Sequence, residues 1–306
     1  PGGCAWGPRP VDFHLEGLRA LGVDIQIENG YVIASAKEIL GGKIHFPKIS
    51  VGATGNVVMA AVLANGVTTL SNAAAEPEIQ QLCQMLNQMG ANISGIGSNT
   101  LTIKGVDSLK SIENISVIPD RIEAGTFLIA AAAIGGEVKV ANIIPEHLES
   151  VVQCLQKANI NIEVSDNSII VKSRTNDILP TNIETNEYPG FPTDLQAQWM
   201  MLMCLAKGIS TIKENIYYDR FTHIMELNRL GCNIKLKDSV ATIKGDRSLI
   251  GADVMSTDIR ASAALIIAAL CAKGVTKISR VYHIDRGYDK IEEKLTNIGA
   301  EIFRKK

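Results

Sequence analysis

Cys4 stands in PGGCAWGPRP, a run of glycine and proline with no apolar pattern around it to bury a thiol. The other five cysteines are placed differently. Cys83, Cys154, Cys204 and Cys271 sit inside apolar helical patterns, and Cys232 opens a strand. These five read as small buried hydrophobes in a reducing compartment, which singles out Cys4 as the thiol with chemistry to do. A second set of residues marks helix starts. PKISVGATG, PDRIEAGTF, PTDLQAQWM and STDIRASAA place Ser50, Asp120, Asp194 and Asp258 in N-cap positions. Capping alone accounts for such residues. Helix N-termini turned to a common point would also hold an anion, through backbone N–H groups and helix dipoles. Arg121 and Arg260 follow two of these caps, and a guanidinium fork suits a planar oxyanion. The chain has no CxxC pair, no His spaced as a metal partner and no GxxxxGK[ST] loop, so neither a metal site nor P-loop phosphoryl transfer is indicated.

The elements that carry these residues repeat. LRALGVDI, LNQMGANI, LQKANINI, LNRLGCNI and LTNIGAEI align on Gly22, Gly90, Asn159, Gly231 and Gly299, roughly seventy residues apart. Each reads as an apolar helix, a left-handed residue just past its end, and an alternating strand. Glycine is the usual residue there and asparagine its usual substitute. A second series, VLANGVTTL, AAIGGEVKV, CLAKGISTI and LCAKGVTKI, follows Ala- or Met-rich helices and leads into short strands. Such a unit is too long for a solenoid and predicts repeated α/β subdomains, with the apolar helices inside and sheets around them.

Composition narrows the function classes. The 306 residues carry a net charge of −2 and are 46% hydrophobic, which argues for a folded chain and against nucleic-acid or anionic-membrane partners. The longest apolar runs, over 127–134 and 261–272, are about half of the ~20 residues a bilayer crossing needs.

Seven stretches in order, PGGCAWGPRPVDFHLEGL, PKISVGATGNVVMAA, NAAAEPEI, PDRIEAGTF, FPTDLQAQ, STDIRASAAL and YHIDRGY, resemble the UDP-N-acetylglucosamine 1-carboxyvinyltransferases, a family of enolpyruvyl transferases. The resemblance runs from the first residue to the last. It implies an α/β (α+β) fold, the inside-out α/β barrel of the enolpyruvyl transferases, with repeated βαβαββ subdomains in two domains. Residues 1–118 would be the remainder of the first, catalytic-loop domain and 119–306 the second, three-subdomain domain, in a chain lacking roughly the first quarter of a family member. The implied reaction moves the enolpyruvyl group of phosphoenolpyruvate to the 3′-hydroxyl of UDP-N-acetylglucosamine and releases phosphate, in the bacterial cytoplasm. No cofactor or metal is implied, and the partners are these two small molecules.

The resemblance also assigns roles. Cys4 would be the general acid, since a thiol with a reference pKa near 8.5 holds its proton at neutral pH and can still release it. Its nucleophilicity once ionised fits a covalent phosphoenolpyruvate adduct and reaction with fosfomycin. The Gly and Pro neighbours suit a lid, and Trp6 departs from the family in a way expected to alter lid packing, not chemistry. Asp194 would take or orient the 3′-hydroxyl proton. Arg9, Arg260 and Arg286 would hold phosphoenolpyruvate. UDP-N-acetylglucosamine would lie against Arg9, Pro10, Val11, Asp12 and Phe13, against Lys48, Ile49, Ser50, Val51 and Gly52, and against Asp194 and Ile216. Glu76, Asp120, Arg121, Glu123, Arg220 and Asp258 match further polar residues, and His14, His223 and His283 are expected to be structural. Two other readings remain at this point: the shikimate-pathway enolpyruvyl transferase, which has no loop cysteine, and an inactive remnant that folds or binds sugar nucleotide.

Overall fold

The computed structural model describes residues 11–174, 177–245 and 248–305. The aligned positions Gly22, Gly90, Asn159, Gly231 and Gly299 all take positive φ, from 65° at Asn159 to 100° at Gly90. Each lies two residues past the end of a helix: α1 (Asp12–Ala20), α3 (Pro77–Gln88), α5 (Glu149–Lys157), α7 (His223–Arg229) and α9 (Ile291–Asn297). The sequence repeat is therefore a repeat of helix ends, and after four of the five helices a strand leaves: β1 (Asp24–Glu28), β5 (Asn92–Ser94), β8 (Asn161–Ser165) and β12 (Ile234–Lys237).

The chain divides into two units, residues 11–118 with Glu187–Pro189, and Pro119–Asn186 with residues 190–305. In the first, α1 leads into the antiparallel hairpin of β1 and β2 (Tyr31–Ser35). Then follow β3 (Lys43–His45), α2 (Val51–Ala61), β4 (Val67–Ser71), α3, β5 and β6 (Thr100–Lys104). These strands form one sheet in the order β3-β4-β6-β5, with β3 parallel to β4 and the remaining pairs antiparallel. Leu70 on β4 faces Leu101 on β6 across the ladder, and both are buried with Phe46, Val57 and Val58.

The second unit repeats that plan. Its first subdomain holds α4 (Arg121–Ile134), β7 (Gly136–Ala141), α5, β8 and β9 (Ser168–Ser173), with the sheet order β7-β9-β8. The next holds β10 (Ile183–Glu184), α6 (Gln196–Leu205), β11 (Ile209–Lys213), α7, β12 and β13 (Val240–Lys244). Its order β10-β11-β13-β12 has the same parallel-then-antiparallel pairing as the sheet of the first unit. The last holds β14 (Asp253–Met255), α8 (Ile259–Cys271), β15 (Lys277–Ser279) and α9, with β14 parallel to β15. Helices α4, α6 and α8 carry apolar residues on nearly every face and pack on one another. Trp199, Leu202, Leu128 and Leu265 are fully buried at their contact. The expected arrangement of inner helices and outer sheets is thus present, as separate open sheets. Among the described residues no helix is long and apolar enough to cross a membrane, and no group of three or more His, Cys, Asp or Glu could hold a metal ion. The five cysteines beyond Cys4 are free, with Cys83, Cys204 and Cys232 buried and Cys154 and Cys271 partly so.

Candidate active site

Three of the four expected N-caps form. Ser50 Oγ accepts from Ala53 N–H at 3.4 Å, Asp120 Oδ1 from Ile122 at 2.7 Å, and Asp258 Oδ1 from Arg260 and Ala261 at 2.9 Å each. Asp194 is the exception. It lies inside a 3₁₀ turn, Thr193–Leu195, placed between Pro192 and α6, and Leu195 takes the cap position. Its carboxylate is therefore not held by the helix N-terminus. Oδ1 accepts instead from Arg260 Nε at 2.8 Å and from Arg220 Nη2 at 3.0 Å. Burial alone would raise the Asp194 carboxyl, but the Arg220 and Arg260 guanidiniums outweigh it and hold it well below the usual carboxylate range. Oδ2 makes no hydrogen bond among the described residues, and 38% of the side chain is exposed. The result is a permanent anion with Oδ1 committed to two guanidiniums.

A polar cluster holds Arg260 from behind. Its Nη1 donates to Tyr288 Oη at 3.3 Å, and that hydroxyl also meets Thr126 Oγ1 at 2.8 Å and Gln198 Nε2 at 3.3 Å. Gln198 Nε2 reaches the Asp194 carbonyl at 3.1 Å as well. Thr126, Gln198 and Arg260 come from α4, α6 and α8, so one hydrogen-bonded group ties the three inner helices together. Burial pushes the Tyr288 hydroxyl up, which keeps it protonated and able to donate. Burial opposes the charge on Arg260, but Asp194 and Tyr288 more than restore it. Its Nη2 makes no hydrogen bond among the described residues. Guanidinium groups 13% and 18% exposed, beside a carboxylate whose side chain is 38% exposed, have the chemistry to receive a small anion that meets a hydroxyl.

A second group lies in the other unit. The Phe13 ring stacks on Phe46 with centroids 5.9 Å apart, and His14 Nδ1 meets Asn56 Nδ2 at 2.7 Å. A methyl at Gly52 would sit 3.0 Å from the His14 ring. The start of α1 is thereby fixed against the start of α2, so Val11–Phe13 and Lys48–Gly52 share one end of this unit, with Asp12, Lys48, Val51 and Gly52 exposed.

A family model described as EPSP synthase (3-phosphoshikimate 1-carboxyvinyltransferase) matches residues 1–295. The UDP-N-acetylglucosamine 1-carboxyvinyltransferase of Myxococcus xanthus is 51% identical over 306 residues, covering 100% of this chain and 72% of the relative. The protein of the same name in Bartonella henselae is 54% identical over 307 residues, 99% of this chain and 71% of the relative. The chain belongs to the UDP-N-acetylglucosamine 1-carboxyvinyltransferase family. The enolpyruvyl transferase NikO from Streptomyces tendae superposes with a TM-score of 0.89 at 24% identity, over 96% of this chain and 72% of that one. EPSP synthase from Acinetobacter baumannii gives 0.73 at 19%, over 100% and 74%. The fold is that of the enolpyruvyl transferases.

Of the residues expected to act in this family, Cys4, Arg9 and Pro10 lie outside the described residues. Asp194 and Arg260 are in direct contact. Arg286 is exposed and closes the 3₁₀ turn Val281–Arg286. Gly287 follows it, and a methyl there would lie 3.7 Å from Arg260 Nη1. Ile216 is half-buried, and its N–H donates to Glu214 Oε1 at 2.9 Å. Sequence reasoning missed Tyr288, Gln198, Thr126, Thr193 and Glu214. The available signal was a polar residue interrupting an apolar stretch, as Gln198 does in QAQWMMLMCL.

Proposed function

We propose that this chain catalyses transfer of the enolpyruvyl group from phosphoenolpyruvate to the 3′-hydroxyl of UDP-N-acetylglucosamine, the first committed step of peptidoglycan synthesis, in the bacterial cytoplasm. The observation that carries the reading is the Asp194 carboxylate held by Arg220 and Arg260, with Asp194 Oδ2 and Arg260 Nη2 making no hydrogen bond among the described residues. The reaction needs such a site. A proton passes from the Cys4 thiol to the methylene carbon, the sugar oxygen bonds to the neighbouring carbon as its own proton passes to Asp194, and a phosphorylated ketal forms. Elimination then breaks the bond from the ketal carbon to the phosphate oxygen, returns a proton from the methyl group to the Cys4 thiolate, and releases inorganic phosphate, which takes up the proton held by Asp194. Arg260, with Arg286 and Arg9, binds the phosphate and carboxylate of phosphoenolpyruvate, and a guanidinium holds its charge throughout. Asp194 Oδ2 takes the hydrogen bond of the 3′-hydroxyl. As an arginine-paired carboxylate it is a weak base, so it orients that hydroxyl first. Its basicity rises when the incoming anion draws Arg260 away. The segments Val11–Phe13 and Lys48–Gly52 receive the uridine and diphosphate ends.

The test is phosphate release by the protein expressed from its complete reading frame. Release from phosphoenolpyruvate should require UDP-N-acetylglucosamine, and shikimate 3-phosphate should not replace it. Release with shikimate 3-phosphate alone would overturn the substrate assignment. Cys4→Ser should lose turnover and fosfomycin labelling, and undiminished labelling would remove Cys4 from its role.

A further inference from the structure

Glu214 is a buried carboxylate, 1% exposed. It follows β11 directly, at the C-terminal end of the parallel β10–β11 pair. A buried carboxylate is costly unless its oxygens are satisfied. Here four donors satisfy it. Oε1 accepts from Thr185 Oγ1 at 2.6 Å and from the Ile216 and Tyr217 amides at 2.9 and 3.0 Å. Oε2 accepts from Thr193 Oγ1 at 3.0 Å. These donors come from three segments: the end of β10, the 3₁₀ turn before α6, and the loop after β11.

The two oxygens serve different halves of the site. On the Oε2 side the Thr193 hydroxyl, its proton given to Glu214, accepts from Arg220 Nη1 at 3.1 Å. Arg220 Nη2 then reaches Asp194. On the Oε1 side the carboxylate fixes the Ile216 peptide, and the Thr185 hydroxyl, also committed to Glu214, accepts from Asn215 N–H at 3.0 Å. The geometry points to Glu214 as a positioning residue for the transfer: one side chain sets the loop proposed to meet the sugar in register with the arginine-paired carboxylate proposed to handle its hydroxyl. This rests on the function proposed above.

The amide variant separates the two halves. In Glu214→Gln the remaining carbonyl oxygen can keep the Ile216 and Tyr217 amides, while the new NH₂ group faces Thr193. The Thr193 hydroxyl then loses its acceptor and gains a second donor, so the bond it accepts from Arg220 Nη1 loses its fixed geometry. Thr193→Val cuts the same link from the other end. Each variant should lower kcat by about 10- to 100-fold, the range for a small misplacement of a reacting group. Dissociation constants for UDP-N-acetylglucosamine should change less than about threefold, and the double variant should be no slower than the worse single one. A merely structural role would lower the unfolding midpoint and leave this split between kcat and affinity absent. Parental turnover in Glu214→Gln, or single losses that multiply in the double, would overturn the proposal. Should Glu214→Gln not fold, Thr193→Val decides by the same kcat measurement. Should the parent release no phosphate, it is the proposed function that falls. The tie itself is then read by hydrogen exchange of the Ile216 and Tyr217 amides, slow in the parent and in Glu214→Gln and fast in Glu214→Ala. Equal rates in all three would refute it.

Discussion

A carboxylate at a helix start ordinarily binds backbone N–H groups, whereas Asp194 binds two guanidiniums because a 3₁₀ turn separates it from α6. Its chemistry then follows from charge. Asp194→Asn keeps the shape but leaves Arg220 and Arg260 facing each other, 13% and 18% exposed, without an anion between them. Turnover should fall by about 100-fold or more, as expected for a positioned proton-handling group, with a much smaller change in UDP-N-acetylglucosamine affinity. Equal losses in both would make Asp194 a binding residue only. Part of this site is legible from the chain alone. Arg260 follows a recognisable cap, and that cap forms. Tyr288 and Thr126 are not legible, because their 2.8 Å contact joins residues 162 apart in sequence and arises only once α4, α6 and α8 pack. Asp194 departs from the expected cap for a related reason: its spacing from α6 suits an N-cap, and the preceding Pro192 and Thr193 give no local sign that a tighter turn intervenes.

The repeated element is a pair of helices with a small sheet, parallel-then-antiparallel in two of the subdomains, and its left-handed helix ends can be read directly from the aligned glycines and Asn159. Another repeated glycine closes TIKG at 102–105 and again at 242–245, and the sequence does not show why it is needed. Gly105 follows β6 and Gly245 follows β13, and each donates its N–H to a glycine carbonyl in the same subdomain, Gly66 at 3.0 Å and Gly208 at 2.9 Å. A methyl at Gly245 would lie 2.0 Å from the Ala206 carbonyl oxygen and 2.6 Å from that of Met203. These are backbone atoms at the end of α6 that cannot rotate aside, so the requirement comes from packing and not from φ. Gly30, in the β1–β2 turn, has φ of +82° and nothing within 4 Å of such a methyl. Gly245→Ala should therefore cost about 3 kcal/mol, the upper end for overpacking, and Gly30→Ala about 1–2 kcal/mol from the left-handed backbone alone. Urea midpoints of the two variants test the order, and equal shifts would show that α6 yields at its end.

At the scale of the molecule each unit has its own core, one around Phe46, Leu70 and Leu101, the other around Trp199 and the inner helices. The second core includes an ionisable group. His223, at the start of α7, is 2% exposed, and its Nε2 has no hydrogen-bond partner among the described residues. Burial lowers its pKa from 6.5 to about 4, against the attraction of Asp258 and with help from Arg220. Above pH 6.5 the imidazole is neutral in both the folded and the unfolded chain, and it contributes no pH dependence. As pH falls below 6.5 the unfolded chain takes up a proton that the folded chain refuses until about 4, so the unfolded state gains. The loss accumulates across that window to about 3 kcal/mol and levels off below it. Trp199 is fully buried in the same core and reports on its unfolding. The denaturant midpoint followed by its fluorescence should drop between pH 6.5 and 4, and His223→Gln should flatten that drop. An unchanged slope in the variant would mean that protons bind elsewhere, leaving the buried imidazole a passive part of the packing.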